Sequence, residues 1–360
     1  MKQDKSINSG IELLRVIAII LLIFYHTTLI GNSSDYPTIL EKFLRVTHMG
    51  WIGTDFFLAL AGYFCARTFI LNKSETAFSY FQERIKRIGP SYILFLSFYF
   101  TFGLWALNSI GKEMLFNSDS LVYLLTLTVN FYFASGQLSG VALEALFSLA
   151  ILVQLYVIFA FVFMSTNDRK SLMLVLLIAW LLAFLFRGIF HQEGYWFNYF
   201  STMTRMDSFV LGALLANAYR TPVIHTVLRR YATHIFLSSL LLLGTVILIT
   251  RGFWSESIYT IPLAFPTIAI FAVACVNLFV HKRIPNVLSD IGLLFGKYSY
   301  ATYLFKIPMV YLVYKILTEI VVIESGTLLK VLLIILSIPS CYLIGILWYH
   351  LVEKPINEKI

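Results

Sequence analysis

Apolar runs of about twenty residues recur from one end of this chain to the other, and a helix needs that length to cross the hydrocarbon of a bilayer. The 360 residues are 59% hydrophobic and only 13% charged, with a mean hydropathy of +0.81. No soluble domain of this length needs so much apolar surface. The sequence predicts an all-α fold, a polytopic membrane helical bundle. About ten transmembrane helices are expected, near 11–30, 50–71, 91–110, 145–165, 171–190, 200–219, 235–250, 258–280, 289–317 and 327–350.

A formal charge of +8 raises the question of nucleic acid, and the positions of the cations exclude it. They sort by loop. The termini and the even-numbered connections carry Lys2, Lys5, Lys73, Arg84, Lys86, Arg87, Arg169, Lys170, Arg220, Arg229, Arg230, Lys282, Arg283, Lys354 and Lys359. The opposite connections carry Lys42, Arg45, Lys112 and Arg251. By the positive-inside rule both termini are cytoplasmic. The first run is read as a membrane span and not as a cleaved signal peptide. Arg15 interrupts the start of its apolar core, and the run leads to Tyr25-His26 with no small-residue cleavage pattern. Cys65, Cys275 and Cys341 are scattered in apolar runs, as free thiols used as small hydrophobes are, so neither a disulfide frame nor a metal site is expected.

Two segments break the regular pattern. Residues 119–134 are apolar but short for a span, and are expected to form an interfacial or re-entrant segment on the outer side. The ninth run contains Gly296, Lys306 and Pro308, which predicts a kink or break. There is no internal repeat, no low-complexity tract and no second soluble domain, so residues 1–360 are read as one membrane domain with short loops.

Ionisable groups inside spans are costly and normally face a partner or a wet cavity. Arg15 and His26 share the first span. Eleven residues is close to three helical turns, so both project from one face, roughly 16 Å apart along the axis. His26, Asp55, Arg205 and Asp207 fall in the outer half, with Glu144 near the outer end of the fourth span; Lys306 lies between the halves. Asp55 or Asp207 pairing with Arg205 would be an ordinary inter-helix salt bridge. A histidine among two aspartates and an arginine also suits a general base, with a carboxylate orienting its ring. On the inner side, Glu83-Arg84-Ile85-Lys86-Arg87-Ile88-Gly89-Pro90 is a basic cluster ending at a proline that can open the third span, which would set cations beside a helix N-terminus. Such a cluster suits either a phosphate ligand or lipid headgroups.

These residues resemble the acyltransferase-3 family of integral membrane O-acyltransferases. Arg15 and His26 stand as Arg-x10-His in the first span. Gly50-Trp51-Ile52-Gly53-Thr54-Asp55-Phe56-Phe57, followed by Ala61-Gly62-Tyr63-Phe64, is similar to G-x-x-G-V-D-L-F-F followed by S-G-F. Arg84-Ile85-Lys86-Arg87-Ile88-Gly89-Pro90-Ser91-Tyr92 is similar to R-x-x-R-I-x-P-x-Y. Arg205-Met206-Asp207-Ser208-Phe209 with Gly212 matches R-x-D-x-F-x-x-G. Tyr298-Ser299-Tyr300-Ala301-Thr302-Tyr303-Leu304 resembles S-Y-x-x-Y-L, and Glu353-Lys354-Pro355 resembles the terminal E-x-P. Six motifs in order cover nearly the whole chain.

The resemblance implies transfer of an acyl group, commonly acetyl, from cytoplasmic acyl-coenzyme A to a sugar hydroxyl of a surface glycan, such as a lipopolysaccharide, or of its lipid-linked precursor. It implies a multi-pass protein of the bacterial inner membrane, with no permanently bound cofactor and with acyl-coenzyme A as co-substrate. In that scheme Arg15, Arg84 and Arg87 bind the coenzyme's phosphates and His26 takes the acceptor's proton. Asp55 or Asp207 orients the imidazole, Arg205 stabilises the oxyanion or holds the sugar, and Glu144 and Lys306 bind substrate. Direct transfer and an acyl-enzyme route both stay open. Two departures stand out. The family's W-S-L-x-x-E becomes Phe147-Ser148-Leu149 with no carboxylate at the matching place, Glu144 lying two turns upstream. The family's Y-L-x-H-x-P becomes Tyr303-Leu304-Phe305-Lys306-Ile307-Pro308. These departures keep two other readings open: a transporter or flippase for a lipid-linked sugar, and a non-catalytic partner in glycan export.

Overall fold

A computed structural model describes residues 2–30, 38–72, 75–103, 119–137, 143, 146–166, 168–250, 259–282, 284–324 and 326–358. Among them there are helices and turns and no strand. In chain order the first helices are α1 (Lys2–Leu29), α2 (Thr38–His48), α3 (Gly53–Leu71) and α4 (Ala77–Phe98), followed by two short ones, α5 (Asp119–Leu125) and α6 (Val129–Ala134). Then come α7 (Phe147–Ser165), α8 (Arg169–Ile189), α9 (Gly194–Phe200), α10 (Thr202–Arg205) and α11 (Asp207–Ala218). The last third holds α12 (Pro222–Arg230), α13 (Ala232–Ile249), α14 (Phe265–His281), α15 (Asn286–Phe295), α16 (Ser299–Lys315), α17 (Thr327–Trp348) and α18 (Lys354–Asn357).

Seven helical segments among the described residues are long and apolar enough to cross a membrane: Ser9–Leu29, Glu41–Leu71, Phe147–Ser165, Arg169–Ile189, Ala232–Ile249, Thr260–His281 and Thr327–Ile356. Each coincides with an expected span. The other three expected spans are helical but differ in form. Residues 91–110 correspond to the end of α4, prolonged by a wider turn over Tyr99–Gly103, and then pass into undescribed chain. Residues 200–219 hold two short helices, the four-residue α10 and the twelve-residue α11. The ninth run is divided, as its glycine suggests: α15 ends at Phe295, a tight turn spans Gly296–Tyr298, and α16 begins at Ser299. Pro308 sits inside α16, which continues through it to Lys315.

Helix α1 is the hub. Ile11, Leu14, Ile19, Leu22 and Ile23 are buried on several sides of it, and it touches α3, α14, α15, α16 and α17. A helix apolar all round belongs inside a bundle. By contrast α8 and α13 turn Leu174, Leu181, Leu185, Leu237, Leu241 and Leu248 outward, as lipid-facing spans do.

Among the described residues, α3 and α11 pack against each other most extensively. A β-carbon on Gly62 would collide with the Phe209 carbonyl, and one on Gly212 would collide with the Ala59 carbonyl. Two glycines therefore let the backbones touch, which is how membrane helices associate where no hydrophobic force drives them together. Both glycines belong to the motifs that carry Asp55 and Arg205, so this contact brings those side chains face to face.

Helix α4 corrects one expectation. It does not start at Pro90. It starts at Thr76, whose hydroxyl accepts the Ser79 amide at 3.0 Å while the Ser79 hydroxyl accepts the Thr76 amide at 3.1 Å. This capping box opens the helix well upstream, and Pro90 lies within it. Arg84 and Arg87 thus sit mid-helix, away from the N-terminus of α4 itself.

The expected short segment is a helical hairpin, α5–α6, turning at Leu127, whose φ is +54°. Gln154 of α7 anchors it. Its amide nitrogen donates to the Leu127 carbonyl at 2.9 Å and to Asn130 Oδ1 at 2.8 Å, and its oxygen accepts the Thr202 hydroxyl. Only a group that both donates and accepts can close this network, and a carboxylate at Gln154 could not donate.

Candidate active site

His26 lies in the last turn of α1 and is buried, 8% exposed. Tyr25 is its ring neighbour, with centroids 5.1 Å apart at 61°. On its other side Tyr25 meets His48 of α2 at 5.4 Å, and His48 Nδ1 is 3.2 Å from the Thr28 hydroxyl. Lys306 of α16 lies within electrostatic range of the His26 imidazole. This lysine is 1% exposed; its ammonium donates to the Tyr303 carbonyl at 3.1 Å and stands 3.6 Å from the centre of the Tyr303 ring. The Tyr303 hydroxyl is 2.7 Å from Ser148 Oγ. Ser148 comes from the altered fourth-region motif and Tyr303 and Lys306 from the altered ninth-span motif. The structure therefore joins matching residues of both motifs, Ser148 and Tyr303, to the substituted Lys306 in one polar cluster, and Lys306 is the member in range of His26.

The two aspartates are placed otherwise than a histidine-orienting role requires. Asp55 Oδ2 receives Arg205 Nη2 at 2.8 Å and its Oδ1 receives the Ser208 hydroxyl at 2.7 Å. Asp207 Oδ2 receives Arg187 Nη1 at 2.9 Å, and its Oδ1 receives the Ser208 amide at 3.2 Å. All four oxygens are engaged, and neither carboxylate bonds His26. Both pairs are fully buried. Arg205 is also enclosed by aromatic faces, with its guanidinium carbon 5.4 Å from the Trp51 ring, 5.2 Å from Tyr199 and 4.8 Å from Phe265. One carboxylate and three rings thus hold this cation, while its Nε and Nη1 are buried with no hydrogen-bond partner among the described residues. Tyr199 lies in electrostatic range of both Tyr25 and Arg205, so the caged pair abuts the His26 pocket through aromatic rings.

Near the middle of α1, about three turns before His26, three arginines converge. Arg15 Nη1 pairs with Glu12 Oε1 at 2.7 Å. Arg84 lies over the rings of Tyr80 at 4.8 Å and Tyr156 at 5.7 Å. Arg87 is in electrostatic range of both Arg15 and Arg84, and all three act on the buried Tyr156 phenol of α7. Three guanidiniums against Glu12 and Glu353, the latter in electrostatic range of Arg87, leave an excess of positive charge, with Arg15 and Arg84 half-buried and Arg87 exposed. Between this cluster and His26, Ile19 and Leu22 occupy the same stripe of α1, both buried.

Glu144 lies outside the described residues. No group of three or more histidine, cysteine or carboxylate side chains among the described residues could hold a metal. Three buried cations escaped the sequence reading. Arg187, 1% exposed, is the partner of Asp207, Lys330, 2% exposed, reaches the end of α1, and Lys315, 7% exposed, pairs with Glu319. Each was visible as a charge inside an apolar run, which is the standing mark of an intramembrane partner.

The chain is thus an all-helical bundle with several helices able to span a membrane, a buried imidazole in the last turn of its central helix and three arginines gathered about three turns before it. The chain belongs to the acyltransferase-3 family: that family's acyltransferase domain matches residues 8–346, nearly its whole length. It is a membrane O-acyltransferase. No curated protein and no solved structure matches it.

Proposed function

We propose that this protein moves an acetyl group from cytoplasmic acetyl-coenzyme A to a sugar hydroxyl of a bacterial surface polysaccharide or of its lipid-linked precursor. The observation that carries this reading is the convergence of Arg15, Arg84 and Arg87 around Tyr156, about three turns of one helix from the buried His26. Guanidinium groups with planar donor forks suit phosphates. A pantetheine arm can span the distance from them to the imidazole.

His26 takes the proton of the acceptor hydroxyl as its oxygen attacks the thioester carbonyl. The C–O bond forms, the C–S bond breaks, and the thiolate leaves, protonated by the imidazolium. Lys306 is a buried cation in electrostatic range of His26 with no carboxylate among its described partners, and it offers an N–H to the carbonyl oxygen as negative charge develops there. Asp55, Arg205, Asp207 and Arg187 serve as the frame that locks α3, α8, α10 and α11 together.

The test uses sealed membrane vesicles containing the protein, supplied with radiolabelled acetyl-coenzyme A at the cytoplasmic face. The reading predicts label in polysaccharide or lipid-linked glycan that mild alkali releases as acetate. Glycan that stays unlabelled while the protein is present and folded would contradict it.

A further inference from the structure

Lys330 stands in the first turns of α17, three residues after Thr327. A cation near the N-terminus of its own helix opposes that helix's dipole. Its burial to 2% exposure adds a desolvation cost. The geometry shows what offsets both. The ammonium donates to the carbonyls of Thr27 at 2.8 Å, Thr28 at 3.2 Å and Ile30 at 2.6 Å. An ammonium has three N–H donors, and these contacts use all of them.

Those carbonyls belong to the end of α1, where the last C=O groups of a helix have no partner within it. The negative end of the α1 dipole faces the same charge. The side chains beside them are tied down locally, the Thr27 hydroxyl to the Phe24 carbonyl at 2.7 Å and the Thr28 hydroxyl to the Tyr25 carbonyl at 2.6 Å. His26 immediately precedes the first clamped carbonyl. No carboxylate among the described residues pairs with Lys330.

We propose that Lys330 is a positioning residue for His26: its ammonium clamps the last turn of α1 and so fixes the height and direction of the imidazole at the reacting atoms. Small misplacements of a catalytic group cost large factors in rate, and this clamp joins α1 to a helix 300 residues later in the chain. The proposal rests on the reading of His26 as the base.

The test compares the full-length protein, its Lys330→Met, Lys330→Gln and His26→Ala variants in the same vesicles. Folding is checked by helical circular dichroism and by monodispersity in detergent. Labelling of His26 by diethylpyrocarbonate, mapped by mass spectrometry, reports the imidazole's placement without reference to activity. Lys330→Met is expected to lower kcat by about tenfold or more while the donor KM stays within about twofold, and to change the His26 labelling rate by about threefold or more. Lys330→Gln, which keeps two N–H donors without the charge, is expected to fall between it and wild type, and it supplies the measurement if the methionine variant does not fold. Wild-type kcat and wild-type labelling in a folded Lys330 variant, with His26→Ala inactive, would overturn the proposal alone. If His26→Ala transfers normally, the base reading fails, and the labelling rate still decides whether Lys330 places the imidazole.

Discussion

Asp55 and Arg205, 150 residues apart in the chain, meet at 2.8 Å inside the bundle with their side chains essentially unexposed. The contact is possible because Gly62 and Gly212 let α3 and α11 touch, and a third group, Ser208, completes the carboxylate. The two signature motifs that carry these residues are thus halves of one joint.

Breaking that joint from one side strands a buried charge. Asp55→Ala should destabilise the protein by about 3–5 kcal/mol, whereas the double variant Asp55→Ala with Arg205→Met should recover much of that loss. Unfolding in mixed micelles, read as a double-mutant cycle, measures the coupling. Additive effects of the two single changes would contradict the pairing.

The arginine cluster makes a separate prediction. Charge-assisted hydrogen bonds contribute about 1.5–3 kcal/mol each, so Arg84→Ala with Arg87→Ala should raise the KM for acetyl-coenzyme A by about a hundredfold or more while kcat changes little. The same titration at rising salt should show a shallower dependence in the variant. A donor titration that matches wild type assigns the cluster to lipid headgroups instead.

Lys306 separates binding from chemistry. Replacement by methionine should lower kcat by about a hundredfold, in the range seen when a donor to a developing oxyanion is lost, with the donor KM unchanged. Lys306→His keeps an N–H donor at the site and should restore part of the rate. Full kcat in the methionine variant would remove Lys306 from the reaction.

Much of this architecture is legible in the sequence because a bilayer leaves few ways to bury a backbone. Seven of the expected spans are present as long apolar helices, the ninth run divides at Gly296, and residues 119–134, read as too short for a span, form two short helices. Pairing is where sequence reasoning stops. Nothing in the spacing of Asp55, Asp207 and Arg205 says that Asp207 belongs to Arg187, because the match depends on which faces of α3, α8 and α11 turn inward. Pro90 suggested a helix start, yet the Thr76–Ser79 box opens α4 earlier and tertiary contacts carry the helix through the proline. Lys330 is a lone lysine in a leucine-rich run, and its role depends on a carbonyl cluster contributed by a helix at the far end of the chain.

The central claim is that His26 is the base at which the acyl group changes hands. Vesicles holding equal amounts of folded wild-type or His26→Ala protein, given radiolabelled acetyl-coenzyme A, test it directly. Transfer to glycan should fall by about two to four orders of magnitude in the variant, the range general-base catalysis supplies. Label accumulating at the wild-type rate would contradict it.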